Sequence, residues 1–217
     1  MKKLFYYCFV FIVIACSKYN DKNGSDCYSN SNTELIFHDG IDREYLLHIP
    51  DSYDTTAVPI VFNFHGYGGN IEEFMEYADL RSVAETNTFI VVYPQGSCLE
   101  GSSHWNPCPN GPDNKSEADD FGFVEAMINQ ISSEYNIDLD RVYAGGYSNG
   151  GMMAYGLANH KSKLIAAVAS VSGAMLDCTG LTSHPMPVIH MHGTDDFDLP
   201  YNGNNYYSSA KNTIDYW

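Results

Sequence analysis

Short runs of apolar residues alternate with helix-forming stretches along most of this 217-residue chain. Within each run the apolar residues are nearly continuous, which is typical of strands that are buried on both faces of a parallel sheet. Two earlier strands, with a turn near Asp39 and Gly40, predict an antiparallel hairpin. The pattern therefore predicts an α/β fold with a mostly parallel sheet and an N-terminal hairpin. The expected strands are ELIF, EYLLHIP, PIVFNF, FIVVY, RVYAGGY, LIAAVASV and PVIHMHG, and the expected helices lie near 71–87, near 120–135 and directly after Ser148.

A serine between glycines follows the run RVYAGG, in the sequence GYSNG at 146–150. In open α/β sheets, ligands bind beyond the carboxyl ends of the strands, so this position is a candidate for chemistry. The pattern G-x-S-x-G is typical of a tight strand-to-helix turn that holds a serine hydroxyl above the sheet. Ser148 is accordingly the predicted nucleophile, and an N-capping serine in a glycine-rich turn is the structural alternative.

A glycine-rich loop, HGYGGN at 65–70, follows the run PIVFNF. Glycines let a backbone N–H turn towards a developing oxyanion. We expect the amides of Tyr67 and Asn149, the residue after the serine, to form such an oxyanion hole. His65 precedes Ser148, whereas the triads of this fold run in the order Ser, Asp, His, so we interpret it as a structural histidine that shapes the loop.

An acidic loop, HGTDDFDLPYNG, follows the last apolar run. A carboxylate there could accept a hydrogen bond from a catalytic imidazole and fix its tautomer. The candidates are Asp195, Asp196 and Asp198, and a solvated acidic turn is the alternative. His190 and His192 lie just before these acids. We expect these two side chains to point to opposite faces of the strand, and therefore expect no metal site from this histidine pair.

The N-terminus predicts export. Residues 1–15 combine lysines with an apolar run that is too short to span a membrane, which is typical of a signal peptide. The sequence VIAC resembles a bacterial lipobox, so Cys16 is a candidate for lipidation and 16–32 for a tether. An ordinary secretory signal is the alternative. The protein is therefore expected to be secreted or an outer-membrane lipoprotein, with no membrane contact except through the lipid.

Export allows the remaining cysteines to form disulfides. None of them has the spacing of a metal site. Four cysteines can pair in three ways, which the sequence does not distinguish. The favoured pairing joins Cys98 to Cys108 across a local loop and Cys27 to Cys178.

The charge balance excludes one class of partner. The chain has 11 Lys and Arg residues against 27 Asp and Glu residues, which gives a formal net charge of -16. Such a surface repels phosphate backbones and offers no basic stripe, so we expect no nucleic-acid partner. A neutral or polymeric substrate would be indifferent to this charge.

Several motifs together resemble those of the polyhydroxybutyrate-depolymerase-type esterases, a group that includes feruloyl and acetylxylan esterases. The likeness runs from about residue 33 to residue 217. It implies an α/β-hydrolase fold, Ser148 as nucleophile, Asp196 as the acid, and no metal or organic cofactor. Asp119 and Asp120 correspond to an acidic pair that would cap the next helix. The matching motifs are HGYGG, YPQG, WNPC, ADDFGFVEAMI, YNIDLDRVYAGGYSNGGMMAY and HGTDDFDLPYNG.

The resemblance implies hydrolysis of a feruloyl, acetyl or hydroxyalkanoyl ester through an acyl-enzyme, on plant polysaccharide or polyester. A peptidase of the prolyl-oligopeptidase kind also carries G-x-S-x-G and a late Asp, but we expect no propeller domain ahead of this core. Aromatic residues that could line an acyl or aryl pocket, or simply pack, are Tyr67, Trp105 and Tyr201.

The family's triad ends with a histidine near the C-terminus, yet no histidine follows Asp196 here. We expect 33–217 to be an esterase domain that lacks its last strand, histidine loop and closing helix. Such a chain should be nearly inactive, because a serine hydroxyl without a general base is a poor nucleophile. The alternative is a complete protein that has lost catalysis and binds polysaccharide or polyester.

Overall fold

The computed structural model describes Cys27, 33–111, 114–176, Cys178 and 185–217. The predicted signal peptide, Cys16 and nearly all of the predicted tether lie outside the described residues. None of the helices in the described part of the chain has the length and apolar composition needed to cross a bilayer.

The described residues form one seven-stranded sheet, a separate two-stranded hairpin and five helices. The large sheet contains β1 (Glu34–His38), β2 (Ile41–His48), β3 (Val58–Phe64), β4 (Ile90–Pro94), β7 (Ile137–Tyr147), β8 (Ala167–Val171) and β9 (Val188–Met191). The small hairpin contains β5 (Ser97–Leu99) and β6 (Ser102–His104). The helices are α1 (Ile71–Tyr77), α2 (Arg81–Asn87), α3 (Asp120–Glu134), α4 (Asn149–His160) and α5 (Ala210–Tyr216).

The large sheet has the order β1-β2-β4-β3-β7-β8-β9. Every pair from β4 to β9 is parallel, while β1 and β2 join as an antiparallel hairpin that extends one edge. Asp39 and Gly40 form its turn with φ of 51° and 82°. Positive φ at both positions is what a two-residue hairpin turn requires. The predicted mostly parallel sheet and N-terminal hairpin are confirmed.

Helices cover both faces of β4, which explains why its sequence is apolar without alternation. Towards the β8–β9 edge the sheet is more open, and Val171, Ile189 and Met191 are exposed. One face packs against α3 and α4, and the other packs against α1 and α2. The first cluster includes Ile60, Phe62, Ile90, Phe123, Met127, Met153 and Leu157, and the second includes Ile71, Phe74, Ala84, Val91 and Tyr93.

The single helix predicted near 71–87 is wrong, because the chain breaks between α1 and α2. The Tyr93 hydroxyl donates a hydrogen bond to the Ala78 carbonyl (3.0 Å) and accepts one from the Leu80 amide (2.9 Å). Asp79 Oδ1 accepts a hydrogen bond from the Arg81 amide (2.9 Å), which starts the second helix. Side chains therefore satisfy the backbone groups that the break leaves unpaired.

The favoured disulfide pairing is also wrong. The structure joins Cys27 to Cys98 and Cys108 to Cys178. The β5–β6 hairpin, in which Cys98 pairs with Ser103, turns this segment back on itself without a disulfide. Cys108 lies beyond the hairpin, in an apolar cluster that Cys178 also contacts. The buried members of this cluster are Cys108, Met152, Ala174, Leu176 and Leu199.

Candidate active site

Ser148 lies at the junction of β7 and α4 with a strained backbone. Its φ is 52° and its ψ is -117°, a conformation that costs a non-glycine residue about 1–3 kcal/mol. The surrounding structure fixes it: the Ser148 amide donates to the Val171 carbonyl (2.9 Å), and its carbonyl accepts from the Met152 amide (3.0 Å). The hydroxyl makes no capping bond to α4, so the N-capping alternative does not apply.

Two glycines allow this turn to be so tight. A Cβ on Gly146 would overlap the Gly150 backbone, and a Cβ on Gly150 would overlap the Phe64 carbonyl oxygen. The first turn of α4 therefore packs directly against the end of β3. Side chains at these two positions would push the nucleophile turn away from the glycine-rich loop.

The loop predicted to supply an oxyanion donor lies beside Ser148. A Cβ on Gly66 would stand 3.5 Å from Ser148 Cβ. The Gly68 amide donates to the Ser103 carbonyl (2.7 Å) and the Gly69 amide donates to the Gly66 carbonyl (3.0 Å), which hold the loop. Within the described part of the chain, the amides of Tyr67 and Asn149 have no backbone acceptor. Neither predicted donor is therefore occupied by a backbone hydrogen bond there, and their role as an oxyanion hole stays a prediction.

His65 shapes this loop, as predicted. Its Nδ1 lies 2.6 Å from the Gly66 carbonyl oxygen, and its Nε2 accepts a hydrogen bond from the Gly96 amide (2.9 Å). A carbonyl only accepts, so Nδ1 carries the proton and the ring is neutral. Burial lowers the pKa of His65 from 6.5 to about 4. Because both ring nitrogens are engaged, His65 does not serve as a base for Ser148.

This lowered pKa predicts a loss of stability in acid. Unfolded His65 binds a proton below about pH 6.5, whereas the folded ring stays neutral until about pH 4. Above pH 6.5 both states are neutral and the free energy of unfolding is unaffected by the titration of this residue. Between pH 6.5 and 4 only the unfolded state binds the proton, so the free energy of unfolding falls by about 3 kcal/mol. We expect urea unfolding to show this extra loss in wild type compared with His65→Gln. Parallel pH dependences of the two proteins would contradict it.

Trp105, a candidate either to line a pocket or to pack, packs in the core. Its ring is fully buried, and Nε1 donates to the His65 carbonyl (3.0 Å). The Trp105 amide donates to Asn149 Oδ1 (2.7 Å), and Asn149 Nδ2 donates back to the Trp105 carbonyl (3.1 Å). These two hydrogen bonds fix the position of the start of α4. Tyr67 and Tyr201, the other two aromatic candidates, are partly exposed.

Of the three candidate acids, Asp196 is the one whose carboxylate is held by backbone hydrogen bonds. Its Oδ1 accepts hydrogen bonds from the Asp198 amide (3.0 Å) and the Leu199 amide (2.9 Å). The bond from Leu199, together with one from the Ser172 side chain, lowers the pKa of the Asp196 carboxyl. Ser172 directly follows Val171, whose carbonyl binds the Ser148 amide. Asp195 and Asp198 are exposed.

The expectation that His190 and His192 point to opposite faces is wrong. His192 Nδ1 lies 3.2 Å from His190 Nε2, and the ring centroids are 5.2 Å apart. The reason is that successive residues of a strand alternate between its faces, so residues two apart, such as His190 and His192, share a face. Across the described ranges, no group of three or more His, Cys, Asp or Glu side chains could hold a metal ion.

The acidic pair before α3 has two separate roles. Asp119 caps the helix, as predicted, by accepting a hydrogen bond from the Gly122 amide (2.9 Å). Asp120 is buried, where it forms an ion pair with Arg43 (2.7 Å) and accepts from the Asn106 amide (2.7 Å). No motif in the sequence indicates a role for Arg43.

Gln95, in the motif YPQG, is a second residue to which the sequence analysis gave no role. Its Nε2 donates to the Gly69 carbonyl (3.1 Å), and its Oε1 accepts from the Ile71 amide (3.1 Å). The Gln95 carbonyl accepts from Arg43 (3.3 Å). Gln95 therefore connects the buried ion pair to the oxyanion loop. The motif was the available signal, but its partners are distant in sequence.

No histidine of the described part contacts the Ser148 hydroxyl. Each lies against another group instead, and His184 lies outside the described residues. The described histidines are His38, His48, His65, His104, His160, His190 and His192. The general base of a triad is thus not identified among them.

Comparison with known proteins gives consistent matches. The family model described as Esterase PHB depolymerase matches residues 43–196. A protein named "Probable feruloyl esterase C" from Aspergillus clavatus is 32% identical over 168 residues, which cover 74% of this chain and 57% of that protein. A bifunctional acetylxylan esterase/xylanase from Neocallimastix patriciarum is 30% identical over 75% of this chain and 22% of its own length.

A solved structure titled as a thermostable esterase shares the fold, with a TM-score of 0.65 at 20% identity. The match covers 79% of this chain and 48% of that structure. The chain thus spans less than two thirds of the length of these three proteins.

Proposed function

Because the chain belongs to the PHB depolymerase family of esterases, we propose that it is a hydrolase of carboxylic esters with Ser148 as its nucleophile. The observation that carries this proposal is the strained turn at Ser148, whose hydroxyl is not used as a helix cap. A strained residue of this kind persists where the structure enforces it, and such residues cluster at active sites.

In the proposed reaction, Ser148 Oγ attacks the carbonyl carbon of the ester while its proton passes to a general base. The amides of Tyr67 and Asn149 donate hydrogen bonds to the oxyanion of the tetrahedral intermediate, and the N-terminus of α4 adds its dipole. The C–O bond then breaks, and the alcohol leaves with a proton from the base. Water attacks the acyl-enzyme in the same way, which releases the acid and restores Ser148.

Asp196 is proposed to orient the imidazole of that base. Its Oδ1 accepts two backbone hydrogen bonds and its Oδ2 lies 3.5 Å from His192 Nε2, so an imidazole N–H would use a remaining lone pair of this carboxylate. No described histidine is assigned as the base. We therefore expect these 217 residues to hydrolyse esters slowly, at the residual rate that an oxyanion hole and substrate binding provide.

The proposed substrates are feruloyl or acetyl esters of plant polysaccharide, with polyhydroxyalkanoate as the alternative. The printed names of the two curated relatives support the first two acyl groups. Export of the protein is proposed as well. The pairs Cys27–Cys98 and Cys108–Cys178 support it, since structural disulfides persist in oxidising compartments. Lipidation of Cys16 stays a prediction.

Rescue by imidazole tests the proposal. Free imidazole can act as the base in place of a side chain, so it should accelerate hydrolysis of p-nitrophenyl acetate by the purified protein. At equal imidazole, we expect wild type to exceed Ser148→Ala by at least about tenfold. The variant also corrects for hydrolysis by imidazole itself. Fast turnover without imidazole would support the esterase and place a base within the chain. Equal rates for both proteins would contradict the proposal and favour a binding role.

A further inference from the structure

A partly buried network of polar side chains connects the nucleophile helix to the acid loop, which we define as residues 193–199. The Tyr155 hydroxyl of α4 lies 2.6 Å from His190 Nδ1. His190 Nε2 lies 3.2 Å from His192 Nδ1, and His192 Nε2 lies 2.6 Å from the Leu199 carbonyl oxygen. The proposed function leaves both histidines without a role.

The direction of every hydrogen bond in this network of side chains follows from the Leu199 carbonyl, which is the acceptor at its end. The Leu199 carbonyl can only accept, so His192 Nε2 carries a proton, and in the neutral ring Nδ1 is an acceptor. His190 must therefore donate from Nε2, which leaves its Nδ1 to accept from the Tyr155 hydroxyl. Burial and the neighbouring His192 lower the pKa of His190, in keeping with a neutral ring. All bonds point towards Leu199, so they reinforce one another.

Leu199 is the link between this network and the proposed acid. Its carbonyl accepts from His192, and its own amide donates to Asp196 Oδ1 (2.9 Å). His192 Nε2 also lies 3.5 Å from Asp196 Oδ2, and the His192 side chain is only 4% exposed. A shift of Leu199 would therefore change the position of the Asp196 carboxylate.

The rest of the acid loop has little packing of its own. Five of its seven residues are exposed, and Phe197 is 95% exposed. Segments with few buried contacts open easily unless specific bonds hold them. The buried anchor in this loop is Leu199, which packs with Cys108 and Met152.

We propose that His192 is a positioning residue for the ester hydrolysis proposed above. The N–H at its Nε2 holds the Leu199 carbonyl and thereby aims the Asp196 carboxylate at the imidazole that it orients. His192 does not touch the reacting atoms, because both of its ring nitrogens are engaged within the network of side chains. The catalytic part of this inference rests on the proposed function, whereas the structural part does not.

Two amide substitutions separate the ring nitrogens of His192. In His192→Gln the amide NH₂ stands near the position of Nε2 and can still donate to Leu199. In His192→Asn it stands near Nδ1 and cannot reach Leu199. We expect His192→Asn to accelerate hydrogen exchange at the amides of Asp198 and Leu199 by at least about tenfold. His192→Gln should stay within about 1.5-fold of wild type.

The same variants are compared for hydrolysis of an aryl ester by the purified protein with free imidazole present, which supplies the base that Asp196 is proposed to orient. We expect His192→Asn to lower kcat by about 10- to 100-fold with KM nearly unchanged, since misplacement of a supporting group by 1 Å can cost about 100-fold. His192→Gln should restore kcat to within about threefold of wild type. If wild type shows no turnover at all, the proposed function fails, and the exchange comparison alone decides the positioning role.

Equal exchange in wild type and His192→Asn would overturn the inference. Equal impairment of His192→Gln and His192→Asn would overturn it as well, because the donor to Leu199 would then not matter. If His192→Asn does not fold, Tyr155→Phe takes its place. That variant removes only the hydroxyl at the far end of the network of side chains. We expect it to accelerate exchange at Leu199 by about threefold, and unchanged exchange would count against the proposal.

Discussion

Replacement of Asp120 by alanine should lower the free energy of unfolding by about 3–5 kcal/mol, because it leaves the charge of the Arg43 guanidinium buried without an ionic partner. Both side chains are almost fully buried, at 3% exposure for Arg43 and 0% for Asp120. The substitution also removes the acceptor of the Asn106 amide. Urea unfolding monitored by tryptophan fluorescence measures the change.

The neighbouring residue provides the matched control. Asp119 is 52% exposed and caps the same helix, so Asp119→Ala should cost about 1 kcal/mol. The double variant Arg43→Met/Asp120→Leu should recover much of the loss, since it leaves no buried charge. Similar small losses in Asp119→Ala and Asp120→Ala would show that the buried ion pair does not organise this region.

Gly150→Ala should both destabilise the protein and disable the proposed site. The new Cβ would overlap the Phe64 carbonyl oxygen and lie 2.5 Å from that of His65. Both obstacles are backbone atoms that cannot rotate away, so the start of α4 must move relative to the oxyanion loop. We expect a loss of about 3 kcal/mol in unfolding free energy. The esterase rate in imidazole should fall by at least about 100-fold, because Ser148 moves away from its donors.

Gly193→Ala is the control for this prediction. Gly193 lies in the acid loop, and a Cβ there would meet no atom within 4 Å. Its substitution should change the free energy of unfolding by less than about 0.5 kcal/mol. If Gly150→Ala were as stable and as active as Gly193→Ala, close approach of α4 to β3 would not be what fixes Ser148.

The features that the sequence predicted well depend on neighbouring residues. The β1–β2 hairpin follows from two short strands and a turn at Asp39 and Gly40, and the parallel strands follow from continuous apolar runs. The turn at Ser148 follows from a pattern of five consecutive residues, 146–150. In each case the steric or hydrophobic cause lies within the segment itself.

The features that the sequence analysis missed depend on distant partners. Arg43 meets Asp120 across 77 positions of the chain, so no local pattern indicates the ion pair. The break after α1 depends on Tyr93, 15 residues away from Ala78. The cysteines pair across 71 and 70 positions of the chain, so the short spacing between Cys98 and Cys108 does not indicate their partners.

The central claim, that Ser148 is a nucleophile, is tested most directly by covalent labelling. The purified protein is incubated with a fluorophosphonate in the presence of imidazole, and the modified residue is located by peptide mass spectrometry. The proposed site predicts one phosphonylated residue, Ser148, and no labelling of Ser148→Ala under the same conditions. A wild-type protein that stays unlabelled at Ser148, while its disulfides and fold are intact, would contradict the claim.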